Sequence, residues 1–332
     1  MVLPLLFNIG LLLGGAALML KGAEWVTDSV AHVAERFKTT SVAVGLILVS
    51  IMLSLPELLV ASSAVFKGHP QIGLGTIIGS VIVNIGLIIG LCSMIRPLRV
   101  SRVMLLRDLV FMMVATIIVA AMALKDGTLD RVDGTVFLLL FVPYLINVYQ
   151  QERLLGKKES QKEGKQMVQT LELIGKVHLG PIVLRDGLGV FLAGGVTLLV
   201  GAQIFTDSLI YFGSTFGVSD LIIGITLGAL GPSLPNLAAA IQATRRGLEE
   251  LAVSETIGSN IFTLLVSVGV FTILQPVTLE ASSRAVTLPA LLLITFLFMG
   301  FTIKGRVTKV EGAVLLLVYL AALVAELLYV AP

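Results

Sequence analysis

The sequence predicts an all-α membrane protein of ten transmembrane helices, built as two inverted five-helix repeats. Three observations predict it. Apolar runs long enough to cross a bilayer recur along the chain, basic residues gather in alternate connections, and the chain resembles itself at one fixed offset of 179 positions.

Of the 332 residues, 56% are apolar and 13% charged. A water-soluble domain carries about 25% charged residues, so this chain has roughly half the usual means of facing water. A helix crosses the hydrocarbon core with about 17–25 apolar residues. Spanning strands would alternate over about ten residues, whereas these runs are continuous in Leu, Val, Ile, Ala and Gly. Hydropathy and turn signals place spans at 3–31, 40–66, 71–95, 103–124, 133–150, 182–212, 218–243, 250–274, 284–303 and 309–330. The start, "MVLPLLFNIG", has neither the basic leader nor the cleavage signal of a signal peptide, and reads as the first span. The long polar stretch "QQERLLGKKESQKEGKQMVQ" divides the chain into a first repeat at 1–150, a hinge loop at 151–181 and a second repeat at 182–332.

Sidedness follows from Lys and Arg, which are retained on the cytoplasmic side. With both termini outside, inner connections hold 17 of the 23 basic residues, among them Arg96, Arg99, Arg102 and Arg107, six between Arg153 and Lys176, and Lys304, Arg306 and Lys309. Outer connections hold four: Lys67, Lys125, Arg131 and Arg284. The expectation is a multi-pass plasma-membrane protein with outward termini and a cytoplasmic hinge loop. A net charge of +2 carries no nucleic-acid footprint. The single cysteine, Cys92, excludes an intramolecular disulfide and reads as a small buried hydrophobe.

The repeat is legible residue by residue. "GAEWVTDS" from Gly22 matches "GAQIFTDS" from Gly201; Ser54, Leu55 and Pro56 match Ser233, Leu234 and Pro235; Gly79 and Ser80 match Gly258 and Ser259. Five spans per half is an odd number, so the second copy is inverted, a construction that places substrates between the halves. Pro56 and Pro235 each lack an N–H and crowd the carbonyl one turn earlier. Carbonyls freed at membrane depth are tolerated where protein or a wet cavity meets them. Two prolines at matched positions, flanked by Ser and by Glu or Asn, therefore predict a matched pair of helix interruptions at an ion site.

The stretches "GLILVSIMLSLPELLVASSAVFKGHPQIGLGTIIGSVIVNIGLIIG" and "GITLGALGPSLPNLAAAIQATRRGLEELAVSETIGSNIFTLLVSVG" resemble the two α-repeats of the calcium/cation antiporter superfamily, in its sodium/calcium exchanger family (the prokaryotic type with two α-repeats). The resemblance covers nearly the whole chain. It implies ten spans, a central ion site and metal ligands at Ser54, Glu57, Ser80 and Asn84 in the first half and at Ser233 and Ser259 in the second. The second half departs from the pattern. Asn236 stands where the family has a second Glu, and Thr263 where it has an acid; Leu53 and Pro232 stand at the threonine positions. The family's usual three acidic groups become one.

Taken on their own chemistry, these residues rank unequally. A carboxylate at a helix centre costs at least about 2.5 kcal/mol to insert, which makes Glu57 the leading candidate for a cation ligand or proton carrier. Serines also pack and bond between membrane helices. Asparagine carbonyls suit hard cations, and Asn260 serves equally as interhelical glue. Lys21 is placed to neutralise Glu24 or to lie over Trp25; Asp28 and Asp207 belong near the interfaces, and Glu255 at a helix N-terminus. Enzyme chemistry is not expected: His32, His69 and His178 lie near connections and no H-E-x-x-H occurs. The reading is a secondary cation antiporter without covalent cofactors. Its partners are membrane lipid and small cations (Ca²⁺, Na⁺ or H⁺), a monomer suffices, and no nucleic acid is involved. The alternatives are a monovalent-cation or proton antiporter that does not move Ca²⁺, and a transport-inactive scaffold.

Overall fold

The computed structural model describes residues 2–36, 42–154 and 187–330, and the expected hinge loop lies almost wholly outside them. The described residues are mainly helical: α1 (Val2–Arg36), α2 (Val42–Phe66), α3 (Pro70–Ile95), α4 (Arg102–Asp126), α5 (Arg131–Leu154), α6 (Leu188–Phe216), α7 (Asp220–Ile223), α8 (Leu234–Arg245), α9 (Glu249–Leu274), α10 (Ser283–Thr302) and α11 (Lys309–Val330). Eight of these are long and apolar enough to cross a membrane; α2 adds a shorter apolar segment, Ile51–Phe66, and α7–α8 form one broken unit. The described parts of the ten apolar stretches expected from the sequence are mainly helix; residues 182–186 of the sixth lie outside the described residues, and the seventh is broken at 231–233.

Local chemistry sets the helix ends. Ser101 and Ser219 accept from the N–H groups of Met104 and Ile222 and so cap α4 and α7. Asp130 accepts from the N–H of Asp133 while Asp133 accepts from that of Asp130, closing a reciprocal box at the start of α5. Thr308 and Glu311 build the same box before α11. Gly127 and Gly217 end α4 and α6 at φ of 74° and 66°, a backbone region that favours glycine.

Backbone features recur at the offset read from the sequence. The wide π-turn Asn84–Ile89 in α3 reappears as Thr263–Ser267 in α9. Strand β1 (Leu98–Arg99) reappears as β3 (Val277–Thr278), and β2 (Thr128–Leu129) as β4 (Arg306–Val307) with a one-residue difference. The pairings cross between halves: β1 is antiparallel to β4 and β2 to β3. The connection holding Arg96 and Arg99 therefore shares one end of the bundle with Lys304 and Arg306, and the one holding Lys125 and Arg131 shares the other with Arg284.

The larger apolar core joins α3, α4, α5, α9, α10 and α11, and a smaller one joins α1, α2 and α6. Helices α1 and α6 cross in close contact at two glycine positions. A Cβ added at Gly22 would stand 2.8 Å from the Gly194 carbonyl oxygen, and one at Gly201 would stand 2.9 Å from that of Gly15. Backbone meets backbone there, and any side chain would push the helices apart.

One expectation needs correction. The two prolines do not interrupt their helices alike. Pro56 lies inside a continuous α2, while the break in the second half falls at residues 231–233, leaving Pro235 in the first turn of α8.

Candidate functional site

Ser54 and Glu57 sit on the inner face of α2, three residues apart and so on one side of the helix. Ser233 lies in the break before α8, Asn236 in its first turn, and Ser259 on α9. All five are buried, Ser233 at 1% exposure and the others at 0%.

They form one hydrogen-bonded network. Ser233 Oγ and Asn236 Nδ2 lie 3.3 and 3.4 Å from the same carboxylate oxygen, Glu57 Oε1. Asn236 Nδ2 also donates to Ser259 Oγ at 3.1 Å, and Ser259 Oγ stands 2.6 Å from Ser54 Oγ. The other Glu57 oxygen, Oε2, has no hydrogen-bond partner among the described residues, nor has Asn236 Oδ1. Hydrogen bonds to a satisfied carboxylate are short, about 2.7–2.9 Å for charged donors. Here one oxygen receives two long bonds and the other none. An ionised carboxylate desolvated this far costs several kcal/mol unless a counter-charge meets it. The geometry is an under-bonded carboxylate beside serine hydroxyls and an asparagine amide that turns its nitrogen toward it.

The other expected residues lie nearby without joining that network. Asn84 Nδ2 donates to Asn260 Oδ1 at 2.9 Å, which gives Asn260 its interhelical bond, and Asn84 Oδ1 keeps an unused lone-pair site. Ser80 Oγ reaches the Ala229 carbonyl at 3.5 Å, beside the broken unit. Thr263 is buried with Oγ1 unpartnered. Lys21 pairs with Glu24 at 2.8 Å and lies 5.7 Å from the centre of the Trp25 ring. Asp207 is 61% exposed and pairs with Lys67. His69 pairs with Asp220 at 2.8 Å. The side chains of Asp28, His32 and His178 lie outside the described residues.

Glu255 does not hold the helix terminus that its sequence position indicated. Helix α9 begins at Glu249, which pairs with Arg96 at 3.2 Å, so Glu255 falls in the second turn and is buried. Thr76 of α3 is buried too, with Oγ1 unpartnered. Reading Glu255 against its repeat partner, Thr76, is the signal that would have found both.

The model of the sodium/calcium exchanger protein family matches residues 7–150 and 187–328. The chain belongs to that family. Among its relatives, inner membrane protein YrbG of Escherichia coli is 30% identical over 89% of this chain and 88% of its own. Sodium/calcium exchanger MaX1 of Methanosarcina acetivorans is 26% identical over 96% and 97%. A solved structure of the sodium-calcium exchanger NCX_Mj, 26% identical, superposes over 96% of this chain and 98% of that one with a TM-score of 0.66. Family membership makes the chain a multi-pass membrane protein and a cation antiporter, and its named relatives of known activity are exchangers, not enzymes.

Proposed function

We propose that the chain exchanges Na⁺ against a second cation, Ca²⁺ or another, through one site between two inverted five-helix repeats. Glu57 supplies the charge, and Ser54, Ser80, Asn84, Ser233, Asn236, Ser259 and Thr263 supply neutral oxygens. The observation that carries this reading is the under-bonded Glu57 carboxylate of the first half, met by donors of the second, Ser233 and Asn236. Rotation of the Asn236 amide would turn its unpartnered oxygen toward the same centre. The relatives MaX1 and NCX_Mj are sodium/calcium exchangers, which favours Ca²⁺ as one of the ions over the scaffold reading.

The inverted arrangement is supported by the recurring π-turns, boxes and strands and by the crossed strand pairing. Ten spans follow if α2 and the α7–α8 unit both cross. The end carrying Arg96 and Lys304 then faces the cytoplasm and both termini face outward. Alternating access would come from α1 and α6 sliding along their glycine contacts across the broken-helix region.

One carboxylate neutralises Na⁺ or a proton but leaves Ca²⁺ with net charge +1, so Ca²⁺ should bind more weakly than in a site with more acids. Ion flux in proteoliposomes tests the function: an outward Na⁺ gradient should drive uptake of the second cation. A Na⁺-gradient-independent leak, or no flux with any cation pair, would refute exchange. A cysteine at position 160 in a Cys92→Ser background should react only from the cytoplasm, and labelling of intact cells would overturn the sidedness.

A further inference from the structure

Glu255 is a second carboxylate inside the protein that the Glu57 network does not use. It is 5% exposed, and both of its carboxylate oxygens lack a hydrogen-bond partner among the described residues. Its surroundings are specific. It lies four residues before Ser259, hence one turn away on the same face of α9. Helix α9 packs against α2 and α8, the helices that carry Glu57 and Asn236. Further along α9 toward the arginine-rich end, the Glu249–Arg96 pair marks the rim. Acidic groups thus step inward from Glu249 through Glu255 to Glu57.

The repeat shows that this is not a feature of both halves. The position matching Glu255 at the 179-residue offset is Thr76, which offers only a hydroxyl. Because the halves run in opposite directions, Thr76 stands one turn from Ser80 toward one face of the membrane, and Glu255 one turn from Ser259 toward the other. The position one turn from the site serine is charged in one half and neutral in the other.

From this we propose that Glu255 is a second cation-binding station on the Arg96-bearing, cytoplasmic side of the Glu57 site. This rests on the exchange reading above. The station accepts a hard cation such as Na⁺ or Ca²⁺ and passes it to or from Glu57. It also restores to the transport route one of the charges missing at Asn236.

The test uses the full chain. Equilibrium binding of ²²Na⁺ and ⁴⁵Ca²⁺ to purified protein is compared for the unmodified chain and for Glu57→Gln, Glu255→Gln and Glu255→Asp. Cation-activated flux is then measured with the varied ion on each side of the proteoliposome separately. Glu255→Gln should raise the half-saturating concentration on the cytoplasmic side by about tenfold, a 1.4 kcal/mol weakening, and leave the external side unchanged. It should also be at least as heat-stable as the unmodified chain, because it removes a buried, unpaired charge. Glu255→Asp, which keeps the charge on a shorter arm, should fall in between, and it carries the test if the Gln variant does not fold. An equal change on both sides, or no change in either variant, would overturn the inference while leaving exchange through Glu57 standing. Absence of any bound cation in the unmodified protein would overturn both.

Discussion

The α2 helix and the α7–α8 unit descend from one sequence pattern and fold differently. Both carry Ser-Leu-Pro, at Ser54–Pro56 and at Ser233–Pro235, yet α2 runs unbroken from Val42 to Phe66 while its counterpart turns at 231–233. The shared proline is therefore not what breaks the chain. Three residues earlier α2 has Leu53 and the second half has Pro232, preceded by Gly231. A second proline removes another backbone donor, and its ring pushes the residue before it out of helical geometry. Gly231 meets that demand and packs against the Phe205 ring, where an added Cβ would lie 2.1 Å from Cζ. Charge divides the same way: Glu57 stands on the continuous helix and Asn236 on the broken one. One half supplies rigidity and charge, the other a bend and neutral oxygens.

The sharpest way to break this comparison is to remove its single charge. At 4 Å and an effective dielectric constant of 20, one charge pair is worth about 4 kcal/mol, roughly a thousandfold in affinity. Glu57→Gln should abolish coupled flux in proteoliposomes at unchanged protein yield; tight Ca²⁺ binding that survives the substitution would place the site elsewhere. Making the halves alike comes next. Asn236→Glu should strengthen Ca²⁺ binding by at least about tenfold, since affinity for a hard divalent ion follows the number of carboxylates, with ⁴⁵Ca²⁺ titration in the presence of competing Na⁺ as the readout. A smaller effect concerns backbone. Pro232→Leu should let the helix close through 231–233, seen as slower amide exchange at Ser233 and Leu234; unchanged exchange would show that Gly231 alone sets the bend.

The smallest predicted effect lies outside the spans. Burial, followed by the nearby charges of Asp220 and Glu326, raises the pKa of Glu280. A raised acid contributes stability in its protonated form, present in full below its unfolded value and lost as pH climbs through the folded one. Glu280→Gln should thus be slightly more heat-stable than the unmodified chain at neutral and alkaline pH, with the gap closing under acid. A gap that widens as pH falls would contradict the assignment.

Most of the architecture was legible in the sequence because lipid imposes few solutions. Continuous apolar runs announced the helices, and the fixed offset from Gly22 to Gly201 announced their duplication. Ser54, Glu57, Ser233, Asn236 and Ser259 could be picked out because Ser-Leu-Pro and Gly-Ser recur, and they do meet in one network. What stayed hidden depended on three-dimensional neighbours. Pro56 and Pro235 look equivalent along the chain, and only the added proline at 232 separates them. Glu255 looked like a helix-terminus residue, whereas α9 starts six residues earlier, at Glu249, and buries it in the second turn. The bond between Asn84 and Asn260 joins positions that are not partners in the repeat, so no internal comparison could propose it.

The crossed ladders have a consequence beyond shape. β1 of the first half is held by β4 of the second at one end, and β2 by β3 at the other, so the halves are laced together at both faces. Covalent continuity through residues 155–186 is therefore not the only tie between them. Two separate polypeptides, 1–154 and 187–332, carry every one of these lacings and the α1–α6 glycine crossing. Made together in one membrane, they have the surfaces to find each other and behave as a heterodimer of mirror-trading partners, the state from which a duplicated single chain could itself have been joined.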